Sequence, residues 1–136
     1  MTRYLLDVNA LIALGFREHE FHAPVATWVR KLNSGDELVT CAITELGFVR
    51  VLAQLPQAEL SVDEAKNILR RLKSVGSVLF TFVADDHDAS RLPGWVKTPK
   101  QTTDGHLAEL AKANGAKLAT LERSIPGPFL IPPKLS

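Results

Sequence analysis

Short apolar runs recur along the chain and have the length and composition of buried β-strands. They are rich in leucine and in the β-branched and aromatic residues that favour strands. The runs are Arg3 to Leu6, Glu37 to Cys41, Val78 to Val83 and Lys117 to Leu121. A fifth run, Phe129 to Ile131, lies within the proline-rich end, Pro126 to Pro133, and has the flanking prolines of a short edge strand.

Between these runs, apolar side chains recur at three- and four-residue spacing and predict helices. The predicted helices are Val8 to Leu14, Ala23 to Leu32, Ile43 to Leu55, Ser61 to Lys73, and a segment from Thr102 or Thr103 to a stop at Asn114. The stretch Ala84 to Lys100 has no clear pattern. Strands that alternate with helices in this way predict βαβ units, an α/β fold and a mainly parallel sheet covered on both faces.

Composition narrows the class of protein. The 136 residues are 46% hydrophobic and 23% charged, which predicts a single globular domain over residues 1–136. Sixteen basic and 15 acidic residues leave a net charge of +1, so binding to a polyanion would depend on local clusters of charge. A lone cysteine, Cys41, excludes an intrachain disulfide, and no apolar run is long enough to span a membrane. We therefore expect a cytoplasmic protein without a membrane partner.

Four acidic residues lie at the predicted junctions between strands and helices. Asp7 directly follows the first strand, Glu45 and Asp104 fall in first helical turns, and Glu122 follows the fourth strand. The carboxyl ends of parallel strands meet at one edge of a sheet, where open α/β folds keep their binding sites. Converging carboxylates repel one another unless a cation is present, and oxygen ligands favour Mg2+ or Mn2+.

Each acid also has an ordinary structural interpretation. The helix dipole alone favours an acid in a first turn, by about 0.3 to 1 kcal/mol, which accounts for Glu45 and Asp104 taken singly. Glu122 can form an ion pair with the adjacent Arg123. Asp7 is harder to explain in this way, because it interrupts an apolar run and is poorly placed to be a surface charge. The residues alone leave convergence of the four open.

Four ordered segments resemble the acidic motifs of PIN domains, and most closely those of the VapC-like ribonuclease toxins of type II toxin-antitoxin systems. The segments are Asp7 to Ile12, Thr44 to Arg50, Thr102 to Leu107 and Leu118 to Arg123. The resemblance covers nearly the whole chain, from Arg3 to about Ile131. It implies a PIN-like three-layer α/β/α sandwich with a central, mainly parallel sheet.

The resemblance also implies roles for individual residues. Asp7 and Asp104 match the acids that bind the metal most directly, and Glu45 matches an acid that commonly acts through a water. Asn9 and Thr103 match polar residues that orient the site. Glu122 stands where the family usually has aspartate, and its extra methylene can turn a direct ligand into a water-mediated one.

Several further residues near these motifs have candidate roles. The basic side chains Arg50, Lys100 and Arg123 are candidates for contacts with RNA phosphates, although basic residues are ordinarily found on surfaces. We expect His106 to have a structural or substrate-edge role, because a metal-activated water needs no histidine. Gly105 replaces an alanine that is frequent in the family, with an expected cost of up to about 1 kcal/mol in helix stability.

The leading hypothesis is an endoribonuclease that depends on Mg2+ or Mn2+, in which a metal-activated water attacks an RNA phosphodiester. The resemblance further implies a homodimer, a structured target such as tRNA or rRNA, and inhibition by a VapB-like antitoxin. Two alternatives within the family are a non-catalytic PIN module and an RNA-processing nuclease. An alternative outside the family is a phosphatase with Asp7 as nucleophile, although such enzymes have a second aspartate where this chain has Asn9.

Overall fold

The computed structural model describes residues 1–74 and 76–132. The strands are β1 (Arg3–Leu6), β2 (Glu37–Thr40), β3 (Leu79–Phe82), β4 (Lys117–Thr120) and β5 (Phe129–Leu130). The α-helices are α1 (Val8–Gly15), α2 (His22–Arg30), α3 (Ala42–Gln54), α4 (Val62–Ser74) and α5 (Thr102–Ala113). Two short 3-10 helices, Ala89–Arg91 and Pro99–Gln101, occupy the stretch that had no clear sequence pattern.

The strands form one sheet in the order β3-β2-β1-β4-β5, and every pairing among the described strands is parallel. In the central strand, Leu5 lies opposite Val39 of β2 and Leu118 of β4. After β1 the chain goes on to β2 on one side, and after α5 it enters β4 on the other side of β1. The loops that follow β1 and β4 therefore run in opposite directions. Parallel sheets form a crevice at their carboxyl edge where the strand order reverses in this way.

Helices cover both faces of the sheet, and the alternation of side chains along β1 assigns each face to a separate core. Tyr4 and Leu6 pack with buried residues of α1, α2, α3 and α4. Leu5 points to the opposite face and packs with Leu107 and Leu110 of α5. The result is the predicted three-layer α/β/α sandwich, with four helices on one face and one on the other.

The predicted elements agree with the observed ones to within a few residues at each end. The short segment between prolines forms β5, which pairs in parallel with β4 at the edge of the sheet. Pro133, the last residue of the proline-rich end, lies outside the described residues. Cys41 is fully buried. No helix among residues 1–74 and 76–132 is long and apolar enough to cross a membrane.

Candidate active site

Asp7 lies at the end of the central strand and caps helix α1. One carboxylate oxygen accepts a hydrogen bond from the Ala10 backbone N–H at 2.8 Å, and the other accepts one from the Thr120 hydroxyl. Only 6% of Asp7 is exposed. Burial raises the pKa of Asp7, the two hydrogen bonds act in the opposite direction, and the negative charges of Asp104 and Glu122 raise the pKa further. Asp7 is therefore a buried carboxylate in a negative environment.

Asp104 and Glu122 approach Asp7 from two other elements. Asp104 lies in the first turn of α5, where burial and the charge of Glu122 both raise its pKa. Glu122 is exposed just beyond β4, and its backbone N–H donates to the Thr120 hydroxyl at 2.9 Å. Its carboxylate accepts hydrogen bonds from the N–H and hydroxyl of Ser124, which lower the pKa of Glu122. These three acids share one negatively charged region.

Glu45 is held differently, by a positive partner. It lies in the first turn of α3, directly after β2, and one of its carboxylate oxygens accepts a hydrogen bond from the Thr40 hydroxyl at 2.6 Å. The same oxygen lies 2.5 Å from the ammonium group of Lys73, in the last turn of α4. The charge of Glu45 is thus balanced by a lysine, whereas Asp7 and Asp104 have acidic neighbours.

The structure brings Asp104 and Glu122 close enough to Asp7 that their charges raise its pKa, and Glu122 also raises the pKa of Asp104. Among residues 1–74 and 76–132, no group of three or more histidine, cysteine, aspartate or glutamate side chains is arranged to hold a metal ion. Convergence of all four carboxylates around one ion therefore stays a prediction. The donor chemistry nevertheless fits a hard cation, because the ligands are carboxylate oxygens. Burial first, and neighbouring negative charge second, raise the pKa of Asp7 and of Asp104, and a divalent ion would favour their ionised forms.

Two threonines that the sequence analysis did not single out support the acids. Thr40 and Thr120 are the last residues of β2 and β4, the strands on either side of β1, and both are fully buried. Each donates its hydroxyl to one of the acids. These two residues could have been found from the sequence, because each is a threonine that ends an apolar strand shortly before one of the acids. Lys73 had no such signal, because it is 28 residues from Glu45 and meets it only through helix packing.

The roles of the remaining predicted residues stay predictions. Asn9 is exposed in the first turn of α1, and Thr103 is exposed beside Asp104 in the first turn of α5. The three candidate phosphate contacts are also exposed side chains. They are Arg50 on α3, Lys100 in the 3-10 helix before α5, and Arg123 after β4.

His106 has a structural role in the described chain. Its ring nitrogen pairs with the carboxylate of Asp85, which also accepts a hydrogen bond from the His87 N–H at 3.0 Å. Burial acts to raise the pKa of Asp85, but the bonds and charges of the two histidines outweigh it and lower the pKa. This contact ties the segment after β3 to helix α5. The nearby Asp88 caps the first 3-10 helix by accepting a hydrogen bond from the Ser90 N–H.

Comparisons with known proteins agree with this fold. A family model described as PIN domain matches residues 4–126. Ribonuclease VapC38 of Mycobacterium tuberculosis is 36% identical over 129 residues, which cover 89% of this chain and 86% of the relative. The crystal structure of VapBC2 from Rickettsia felis, bound to a DNA fragment from its promoter, superposes with a TM-score of 0.63 at 14% identity. That match covers 95% of this chain and 97% of the solved chain.

A second solved structure has the same fold. Mycobacterium tuberculosis VapC20, a toxin that cleaves the sarcin-ricin loop, superposes with a TM-score of 0.59 at 11% identity over 87% of each chain. The match to the family model, which spans most of the sequence, shows that the chain belongs to the PIN-domain family. Within that family it is a VapC-like protein, as its relatives at 36% identity show. Membership of this family gives the phosphatase alternative no support.

Proposed function

We propose that this protein is an endoribonuclease toxin of the VapC type that depends on Mg2+ or Mn2+. The observation that carries the proposal is the group of acids at the carboxyl edge, where Asp7 and Asp104 have raised pKa values and Glu122 adds to the repulsion. Such a group costs stability unless a cation is bound, and functional sites are where such costs are retained. The relatives named ribonuclease VapC support the same activity.

Different residues would have different roles in this reaction. Asp7 and Asp104 would hold the ion, with Glu45 and Glu122 completing the predicted set of acids. When bound, the ion would supply Lewis-acid chemistry, neutralising charge on the phosphodiester and lowering the pKa of a water. Thr120 and the Ala10 N–H keep the Asp7 carboxylate in one orientation. Thr40 and Lys73 do the same for Glu45.

The test compares wild-type protein with Asp7→Asn. We expect the wild type to cleave RNA in the presence of Mg2+ or Mn2+ and to arrest growth when expressed, and we expect the variant to do neither. Glu20→Gln is the matched control, since it also neutralises one acid but lies in the exposed loop between α1 and α2. Equal cleavage and equal toxicity of wild type and Asp7→Asn would refute the proposal.

A second candidate function is a non-catalytic PIN module that binds RNA or protein. It is favoured by the ion pair of Glu45 with Lys73 and by the hydrogen bonds of Glu122 with Ser124, since both acids are turned to other partners. The two candidates differ in one measurement. Specific RNA binding without cleavage in any divalent metal would identify the module, and metal-dependent cleavage would exclude it.

The proposal includes partners. A structured RNA such as tRNA or rRNA would be the target, a VapB-like antitoxin would neutralise the toxin, and the toxin would form a homodimer. Co-expression with the product of a neighbouring small gene should restore growth if that gene encodes the antitoxin. Sequencing of RNA ends after induction would identify the target, and light scattering would give the number of subunits.

A further inference from the structure

A groove with a volume of about 460 Å³ lies between α3 and α4, with Glu45 on its wall. Its apolar lining consists of Leu46, Val49, Val62 and Leu69. Leu46 is 69% exposed and Val62 is 56% exposed, so much of this apolar surface is open to solvent. Large apolar side chains that are exposed together beside a candidate active site are characteristic of a binding surface.

The other lining residues of the groove are mainly basic. Lys66, Arg70 and Lys73 follow one another at four- and three-residue spacing along α4, which places them on one side of that helix. Lys73 is bound to Glu45. Lys66 lies 3.9 Å from Asp63, but both side chains are more than half exposed, and such pairs are weak. Arg70 is exposed, and its guanidinium makes one long hydrogen bond of 3.5 Å with the Asn67 side chain. Lys66 and Arg70 are therefore available to an anionic ligand.

We propose that this groove holds an unpaired nucleotide of the RNA substrate, next to the phosphodiester that is cleaved. The apolar lining would accept the base, and Lys66 and Arg70 would contact the neighbouring phosphates. The inference rests on the proposed ribonuclease function and deepens it by assigning a substrate subsite. Sequence-specific proteins read RNA mainly through unpaired bases, and an apolar surface with a basic border matches the two parts of a nucleotide.

The size of the groove favours a single nucleotide, and its charge favours RNA over a second copy of this chain. The groove volume lies within the range of about 300 to 1,000 Å³ that is typical of pockets for small molecules, and so suits one nucleotide better than a duplex. A twofold interface would place the same patch against itself. This patch carries three basic side chains and one acid, so self-association brings like charges together, whereas RNA supplies the opposite charge.

The test measures RNA affinity in the Asp7→Asn background, so that the probe is not cut. The probe is a short, fluorescein-labelled single-stranded RNA of mixed sequence, followed by fluorescence anisotropy over a series of salt concentrations. Three double variants are compared. They are Lys66→Ala with Arg70→Ala, Leu46→Ala with Val62→Ala, and the control Lys31→Ala with Lys112→Ala, whose lysines are exposed outside the groove.

We expect the two groove variants to fail in different ways. Loss of Lys66 and Arg70 should reduce the slope of log affinity against log salt by about 1.4, since each phosphate contact on a single strand contributes about 0.7. The control pair should leave the slope unchanged. Loss of Leu46 and Val62 should weaken binding by about fivefold or more at an unchanged slope. A duplex probe should show no effect of the apolar variant, because its bases are paired.

The charge-conserving pair Lys66→Arg with Arg70→Lys should recover most of the affinity, which separates phosphate binding from a folding defect.

Equal effects of the groove pair and the Lys31 and Lys112 control pair would overturn the inference. Conversion of a dimer to a monomer by the Leu46 and Val62 variant, with RNA binding by the Lys66 and Arg70 variant intact, would also overturn it. When the groove substitutions are made in the chain that keeps Asp7, cleavage of RNA as fast as by the wild type refutes this inference alone. Wild type that neither binds nor cleaves RNA refutes the ribonuclease proposal as well.

Discussion

Asp7 offers the sharpest test of the candidate site, because two substitutions separate its charge from its structural contacts. Asn can keep the contact with Ala10, because its amide oxygen can accept from the Ala10 N–H. The bond with Thr120 is reversed, because the hydroxyl donates to Asp7 whereas the Asn amide N–H would donate to the hydroxyl oxygen. Ala loses both. Asn at position 7 therefore removes the charge and keeps the helix cap, whereas Ala removes the charge together with the cap.

The size of the difference follows from these contacts. Loss of the N-cap costs about 1 kcal/mol. Loss of the partner of the fully buried Thr120 hydroxyl costs about another 1 kcal/mol. Asp7→Ala should therefore be less stable than Asp7→Asn by about 2 kcal/mol, or about 8 °C in Tm for a chain of this size. Without metal, Asp7→Asn should be more stable than the wild type at neutral pH, because it removes a buried charge from a negative environment.

The pH dependence has a definite sign. The pKa of Asp7 is raised above its ordinary value of 3.8, so the folded state is favoured when the group is protonated. Wild type should lose stability relative to Asp7→Asn as the pH rises above 3.8 and through the raised pKa. Chemical denaturation of both proteins at a series of pH values would measure this gap. A gap that stays constant with pH would show that burial does not perturb Asp7.

Divalent metal provides the decisive measurement. At Mn2+ concentrations about 100 times the Kd, binding to the folded state should stabilise the wild type by about 2.7 kcal/mol. Asp7→Asn should show little of this stabilisation, because it lacks one of the two acids predicted to bind the ion most directly. Differential scanning fluorimetry with and without Mn2+ gives both values. Equal stabilisation of Asp7→Asn and the wild type by Mn2+, or equal Tm values of the Asn and Ala variants, would refute this role of Asp7.

Three further predictions follow from neighbouring contacts. Lys73→Met removes the ion-pair partner of Glu45 and should tighten Mn2+ binding by about fivefold, the size expected for one partly exposed ion pair. Calorimetry would measure this affinity, and unchanged or weaker binding would contradict the prediction. Gly105→Ala should lower the free energy of unfolding by about 1 to 3 kcal/mol, because the added Cβ would overlap the Val96 side chain, and a higher Tm would contradict it. Asp85→Ala should destabilise the protein at pH values above 3.8, and its difference from wild type should shrink as the pH falls through the lowered pKa of Asp85, a trend that urea denaturation would measure.

Gly105 shows how packing can reverse an expectation from the sequence. Helix propensity alone makes glycine in α5 a small cost, so alanine would be expected to stabilise the helix. In the structure Gly105 is buried, and a Cβ there would also lie 3.2 Å from the Pro93 ring. The stretch that had no clear sequence pattern packs against the helix at this point. Glycine is thus explained by the close approach of a neighbouring segment, which propensity does not describe.

Glu45 shows a second limit of the sequence. Its position after a strand and in a first helical turn was readable, because strand composition and helix spacing are local properties. Its partner was not readable, because Lys73 reaches it only when α4 packs against α3. Glu122 was predictable in part. Its departure from the usual aspartate made its role in metal binding uncertain, and in the structure its carboxylate accepts hydrogen bonds from Ser124.

The sequence by itself determined the strands, the helices and the placement of four acids at their junctions, since these depend on short-range patterns of apolar and polar residues. It therefore also determined that Asp7 ends a buried strand. Tertiary structure alone decided the strand order, which puts Thr120 of β4 beside Asp7, and the helix packing that gives Glu45 a lysine partner. The physical reason is that charge interactions and buried hydrogen bonds depend on distances between segments far apart in the chain. Such distances exist only after the layers have packed.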